Sequence, residues 1–445
     1  MRGGASVAGV APAWAAAFAA QLRRLGGTLD TERVALRRRR GRGVCVVATR
    51  ALRPGDRLAV VPPHAVLQAT DPPADPRARA ALAAWEATTA AAAADDVVNG
   101  DAGGADQRVA TAALSASDRA TWRLAFLLAL ARSDALWRLL GESPGRHRGG
   151  AAGRYFPAYA AGGIAANAVP LERIAAVSSE AVGGDDAGAS EAALRRLVGG
   201  GTVVAMRTLG LTPSDAARAA AAEAARQRGV ASEMARCLAA HRSRPAPRGA
   251  SAAQTEAAAA TAILGAYRGV ASRAHHFALA LPPGHDAAAA PFPRRLTDTP
   301  AAGAALTLCP VFDAFNHADG GVANVALLDT HWTPGGESAA RGNNSGNGVS
   351  RSQRRASTTR RPPPAAFSAA AVVDATAVAV RSRALVAEAA CDVAAGAELC
   401  LLYARPRAVS RLAAAGPRHV DAARAAALEC LVRFGFVPPV GGPRA

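Results

Sequence analysis

The chain has 445 residues, enough to bury one large core or two ordinary ones, and half of them are hydrophobic although only 4% are aromatic, the excess being alanine. The formal net charge of +18 would ordinarily point to an anionic partner, but all 52 basic residues are arginine. Arg, Ala, Gly and Pro abound together, as GC-rich coding produces them, and this argues against a nucleic-acid partner. No run approaches the ~20 apolar residues of a membrane-spanning helix. Cys45, Cys237, Cys309, Cys391, Cys400 and Cys430 lie scattered, mostly in apolar runs, and none has zinc-ligand spacing. They read as reduced thiols of an intracellular reducing compartment: cytoplasm, chloroplast or nucleus.

In chain order, residues 14–25 read as an amphipathic helix, leaving about a dozen Ala- and Arg-rich residues before it in which a targeting signal could lie. Residues 33–36, 44–49 and 57–61 are short β-like runs punctuated by Gly and Pro, a small antiparallel unit. From residue 78 to about 278 the pattern is helical. Trp122, Phe126, Leu130, Trp137 and Leu140 recur at helical spacing over residues 122–140, and further helices are predicted at 192–197, 213–240 and 255–279. Gly- and Asp-rich breaks at 95–106 and 183–188 read as surface loops. Strand signals resume at 322–328, 371–381 and 399–403. Residues 332–365 are Gly, Asn, Ser, Arg and Pro with almost no apolar side chain, so burial cannot offset their ordering entropy and a disordered loop is expected. Within it, Arg354-Arg355-Ala356-Ser357 would suit a basophilic kinase, a pattern that chance also supplies in an Arg-rich insertion. Residues 405–424 read as a second insertion. The fold class is therefore α+β, with a β part at 1–77 and 271–437, a helical insert at 78–270 and a tail at 438–445.

Two segments stand out. Cys309-Pro310-Val311-Phe312-Asp313-Ala314-Phe315-Asn316-His317 places an Asn-His pair after an apolar run, and Gly396-Ala397-Glu398-Leu399-Cys400-Leu401-Leu402-Tyr403 is a Gly-x-Glu strand ending in Tyr. Together they resemble the SET-domain protein methyltransferases, and more narrowly the plant Rubisco large-subunit methyltransferase-like branch, whose catalytic domain is split by a large helical insert. Other matching segments follow in the same order: Leu25-Gly26-Gly27, Gly41-Arg42-Gly43-Val44, Pro54-Gly55-Asp56, Arg154-Tyr155-Phe156-Pro157, Ser272-Arg273 and Phe434-Gly435-Phe436. Each is weak alone; the order is what makes the resemblance specific.

The resemblance implies a SET-type β-fold of small antiparallel sheets, S-adenosylmethionine as cofactor, and methylation of lysine in a protein substrate. It implies cofactor-binding roles for Arg42 and Gly43 in a tight turn, for Arg273 toward the cofactor carboxylate, and for Asn316 and His317. It makes Tyr403 the catalytic residue, orienting the acceptor amine, and places Phe434 in the acceptor channel. Transfer of a methyl from a sulfonium needs alignment rather than a strong acid or a metal, and alignment alone can supply roughly 7–11 kcal/mol. This suits a site poor in carboxylates and histidines. Asp313 and His317 stand four apart, as helical metal ligands do, but the segment between Pro310 and Gly320 is too short for a stable helix, so no metal is expected. His275-His276 reads as a helix-end pair.

The chain also departs from the pattern. Ala318 stands where Ser is usual, Ala404 where Gly follows the Tyr, and Phe434 where Tyr is usual; the C-terminal helical domain that grips the protein substrate is not recognisable. Two alternatives remain open: a protein-histidine methyltransferase of the same fold, and a catalytically inactive SET-like interaction module. The sequence is silent on oligomeric state.

Overall fold

The computed structural model describes residues 15–39, 43–73, 75–98, 114–141, 171–177, 187–242, 251–273, 275–277, 294–295, 305–317, 323–331, 383–401, 409, 412, 417–438 and 440. Helix α1 (Ala15–Arg24) buries Phe18 and Leu22, which lie four apart on one face. It turns through Gly26 and Gly27 into β1 (Thr28–Leu29), which pairs with β4 (Arg57–Val61). Between them run β2 (Val34–Arg39) and β3 (Gly43–Ala48), and β5 (Leu67–Gln68) follows. Gly27 has no space for a side chain: a Cβ there would meet the Val60 carbonyl oxygen at 2.7 Å and Pro62 Cδ at 2.8 Å. Gly27→Ala is expected to cost about 1–3 kcal/mol by overpacking, read as a lowered denaturation midpoint. A midpoint equal to that of the native chain would show that α1 can lift from β4 freely.

The helical block comprises α2 (Pro76–Val98), α3 (Ala116–Arg132), α4 (Asp134–Leu139), α5 (Leu171–Ala176), α6 (Ala187–Val198), α7 (Gly200–Thr208), α8 (Pro213–Ala240) and α9 (Ala252–Arg273). Asp75 starts α2 as its cap: Oδ1 accepts from the Arg77 and Ala78 backbone amides at 2.8 and 3.1 Å, and Oδ2 from Arg77 Nη2 at 2.8 Å. Burial would raise the Asp75 pKa, but the Arg77 side chain and these amides outweigh it and hold the carboxyl below its usual value. A lowered folded pKa gives stability that is present above the unfolded value of about 3.9 and is lost as pH falls through the folded one. Asp75→Asn should therefore lower stability at neutral pH and flatten the acid limb of the profile, the two chains converging as pH falls through the folded pKa.

One helix was expected over 122–140, but the chain breaks at Ser133, which leaves helical dihedrals and caps α4 by accepting from the Ala135 amide at 3.2 Å. Asp95 and Asp96 lie within α2 rather than in a loop. Helix α9 stops at Arg273 instead of running to 279, and His275 and His276 lie in a strand, β6 (His275–Phe277), not at a helix end. Pairing of β6 with β8 (Ala305–Leu308) overrides the helical propensity of the Ala-rich segment. The remaining strands are β7 (Arg294–Arg295), β9 (Asn316–His317), β10 (Val325–His331), β11 (Arg383–Ala389) and β12 (Glu398–Leu401). The strand expected at 371–381 and the loop expected at 332–365 lie outside the described residues, while β11 was not foreseen.

The strands form three sheets, ordered β1-β4-β11-β10-β7, β2-β3-β12-β9 and β5-β8-β6, antiparallel except for β12 with β9. In each sheet a strand that precedes the helical block pairs with one that follows it: β4 with β11, β3 with β12, β5 with β8. The architecture is α+β, with a discontinuous β part enclosing the helices. One core joins the sheets to α1–α4, α8 and α9 around Trp85, Trp122 and Phe126. A second lies beneath α10 (Val420–Phe434), which is fixed to two other helix ends by arginines: Arg424 Nε donates to the Leu209 carbonyl at 2.7 Å and Arg433 Nε to the Ala271 carbonyl at 2.9 Å. Gly435, with φ +77°, ends α10 in the left-handed conformation that Gly adopts without strain. Among the described residues, no helix is long and apolar enough to cross a membrane and no cluster of metal-ligating side chains occurs. None of the six cysteines forms a disulfide, and burial holds the Cys309 thiol well above its usual pKa.

Candidate functional site

The site forms where β3, β12 and β9 lie side by side. Glu398 and Leu399 pair with Val47 and Val46, and on the other edge Cys400 and Leu401 pair with Asn316 and His317. To bring Asn316 there, the chain leaves β8 through a strained corner. Val311 has φ +76° and ψ −49°, close to the rare γ-turn, and for a β-branched residue such dihedrals cost about 1–3 kcal/mol. Full burial of Cys309, Val311, Phe312 and Phe315 holds the corner, and a single 3-10 turn, Phe312–Ala314, delivers the chain into β9.

Arg273, the last residue of α9, reaches into this corner and is 8% exposed. Its Nη1 donates to the Phe315 carbonyl at 3.0 Å and its Nη2 to Asn316 Oδ1 at 2.9 Å. Asn316 in turn donates through Nδ2 to Glu398 Oε1 at 2.6 Å. A continuous run of side-chain hydrogen bonds thus links the end of α9, the Asn-His pair and the Gly-x-Glu strand. The two ends of the Asn316–Glu398 bond are 82 residues apart in sequence.

Sequence reading missed Asn324. Its Nδ2 donates to the Glu398 carbonyl at 2.8 Å and its Oδ1 accepts from the Cys400 amide at 2.7 Å, so one side chain acts as a rung for β12 on both sides of Leu399. The available signal was a lone Asn in the apolar run entering β10. Asn324→Ala is expected to strand two polar groups of β12, costing about 1–3 kcal/mol for each that stays buried. Hydrogen exchange at the Cys400 amide should accelerate, and unaltered protection there would contradict the assignment.

The other expected site residues are placed as follows. The His317 backbone lies opposite Leu401 in β9, the edge strand of its sheet. Gly43 begins β3 opposite Arg39, roughly 10 Å along the strand from the Val46 rung, so it does not meet the Asn316–Glu398 pair directly. Phe434 ends α10, half-buried, 6.1 Å from the Phe436 ring, and follows Arg433, which bonds Ala271 in the last turn of α9. Arg42 and Tyr403 lie outside the described residues; β12 ends two positions before Tyr403.

Comparison with protein-family models, with curated proteins and with solved structures finds no match to the chain. The chemistry of the site therefore rests on its own donor set. A guanidinium matches a carboxylate with two parallel hydrogen bonds, an Asn amide offers both donor and acceptor, and an edge strand offers backbone N–H and C=O groups. In the structure Arg273 and Asn316 direct these groups to the Phe315 carbonyl, to each other and to Glu398.

Proposed function

We propose that the chain is an S-adenosylmethionine-dependent protein-lysine N-methyltransferase built on a SET-type β-fold split by the helical block. The observation that carries this reading is the Arg273–Asn316–Glu398 run of hydrogen bonds, because it joins three of the sequence segments on which the resemblance to that family rests. The enclosure of the helices by discontinuous sheets supports it too.

When bound, the cofactor supplies an electrophilic methyl on a sulfonium whose positive charge is lost on transfer. Arg273 holds a carboxylate, and Asn316, oriented by Arg273 on one side and Glu398 on the other, reads the polar groups beside it. The edge backbone of β9 at His317, together with Arg42 and Gly43 as the resemblance implies, would complete the binding surface. Tyr403, two positions beyond the end of β12, orients the neutral amine of a substrate lysine in line with the methyl. Phe434 lines the channel through which that side chain enters. The partner is a protein substrate.

Incubation with methyl-labelled cofactor and a plant or algal extract, followed by mass spectrometry of the labelled residues, tests the proposal. Label on lysine is expected. Label on histidine would favour the same-fold histidine enzyme, and cofactor binding without any label would favour an inactive interaction module.

A further inference from the structure

Away from Asn316 and Glu398, a cavity of about 200 Å³ opens where α3, α5, α8, α9 and α10 meet. Its wall carries Arg226, Arg268 and Arg433 together with Asp118, Glu223 and Glu429. Tyr267 also lines it, and this residue is 3% exposed, with its ring stacked on Trp122 at a centroid distance of 3.8 Å and an interplanar angle of 16°. The stack fixes where the hydroxyl points. Burial pushes the Tyr267 pKa up, so the group stays an O–H donor at neutral pH. Its oxygen accepts only a long bond from Arg226 Nη2, at 3.4 Å, and the described residues supply no acceptor for its proton. A buried hydroxyl without an acceptor costs free energy that an oxygen in the cavity would recover.

The charges narrow the occupant further. Arg226 is held by Glu223 through bonds of 2.7 and 2.8 Å, and Arg268 is held from outside by Glu172 and by Gln227. The acids and bases of the wall balance. An occupant with a net charge would bury that charge uncompensated, whereas one carrying both signs would not. The volume lies below the ~300 Å³ at which drug-sized ligand sites begin.

We infer that this cavity binds a small zwitterion of the α-amino-acid type, with its carboxylate toward Tyr267 and Arg226 and its ammonium toward the acidic side of the wall. The site is separate from the one at Arg273, although α9 contributes to both.

Calorimetry and thermal melting of the whole chain with glycine, L-alanine and L-methionine, against acetate, methylammonium and inorganic phosphate, test the inference without any methyl donor. The amino acids should bind saturably and raise the melting temperature, with acetate and methylammonium at least tenfold weaker. Tyr267→Phe keeps the stack on Trp122 and should weaken amino-acid binding about tenfold. Arg273→Ala should leave it unaltered, which separates this site from the proposed cofactor site. No saturable binding up to tens of millimolar overturns the inference. So does tighter binding of phosphate, full affinity in Tyr267→Phe, or loss of binding in Arg273→Ala at a temperature where that variant melts as a folded chain.

Discussion

Arg273→Ala should weaken S-adenosylmethionine binding at least tenfold. A charge-assisted pair contributes about 1.5–3 kcal/mol, and each 1.4 kcal/mol is a factor of ten in affinity. The substitution acts twice, because the same guanidinium donates to the Phe315 carbonyl and to Asn316 Oδ1. Losing it leaves Asn316 oriented by Glu398 alone, so stability should fall as well. Arg273→Lys separates the two effects: it keeps the charge but cannot reach both oxygens in one plane, and an intermediate affinity with a near-native fold is expected. Calorimetry reads the affinity and urea denaturation the stability. An Arg273→Ala variant that folds and binds as the native chain does would remove Arg273 from the site.

Tyr403→Phe should lower turnover by about a hundredfold or more while leaving cofactor affinity within about twofold. Misplacing an acceptor by ~1 Å is enough for an effect of that size, and the missing hydroxyl is the group proposed to orient it. The aromatic ring is retained, so the loss would fall on kcat. Native turnover in the variant would show that the acceptor amine is oriented elsewhere, and a parallel loss of cofactor binding would assign the hydroxyl to holding the cofactor.

What could be read from the sequence follows from how local each feature is. The strands β2, β3 and β4 are bounded by Gly and Pro, and the Asn-His and Gly-x-Glu segments are short and contiguous, so all were visible. The break at Ser133 was legible in principle, since Ser followed by Asp is a helix start, but the periodic Trp and Leu positions on either side run straight through it. The end of α9 was not legible: Ala-rich sequence continues past Arg273, and only a partner strand about thirty residues later makes His275–Phe277 extended. The Val311 corner is a tertiary outcome, since no residue type at that position announces a positive φ. Asn324 and the cavity around Tyr267 draw their partners from distant segments, which a pass along one chain cannot assemble.

The pairing of early strands with late ones also sets an order of events during synthesis. Val61 in β4 waits for Leu385 in β11, more than three hundred residues further on. At 5–20 residues per second this is an interval of roughly 15–60 s in which β2, β3 and β4 have no partner from the second half of the chain. The helices from α2 to α9 make mostly nearer contacts and can form in that interval, while the early strands stay as open edges able to pair with other nascent chains. Glu398 is then among the last groups to dock, so the site comes into being only when the sheet closes. A chain interrupted before β12 would lack the Asn316–Glu398 bond and, with it, the proposed site.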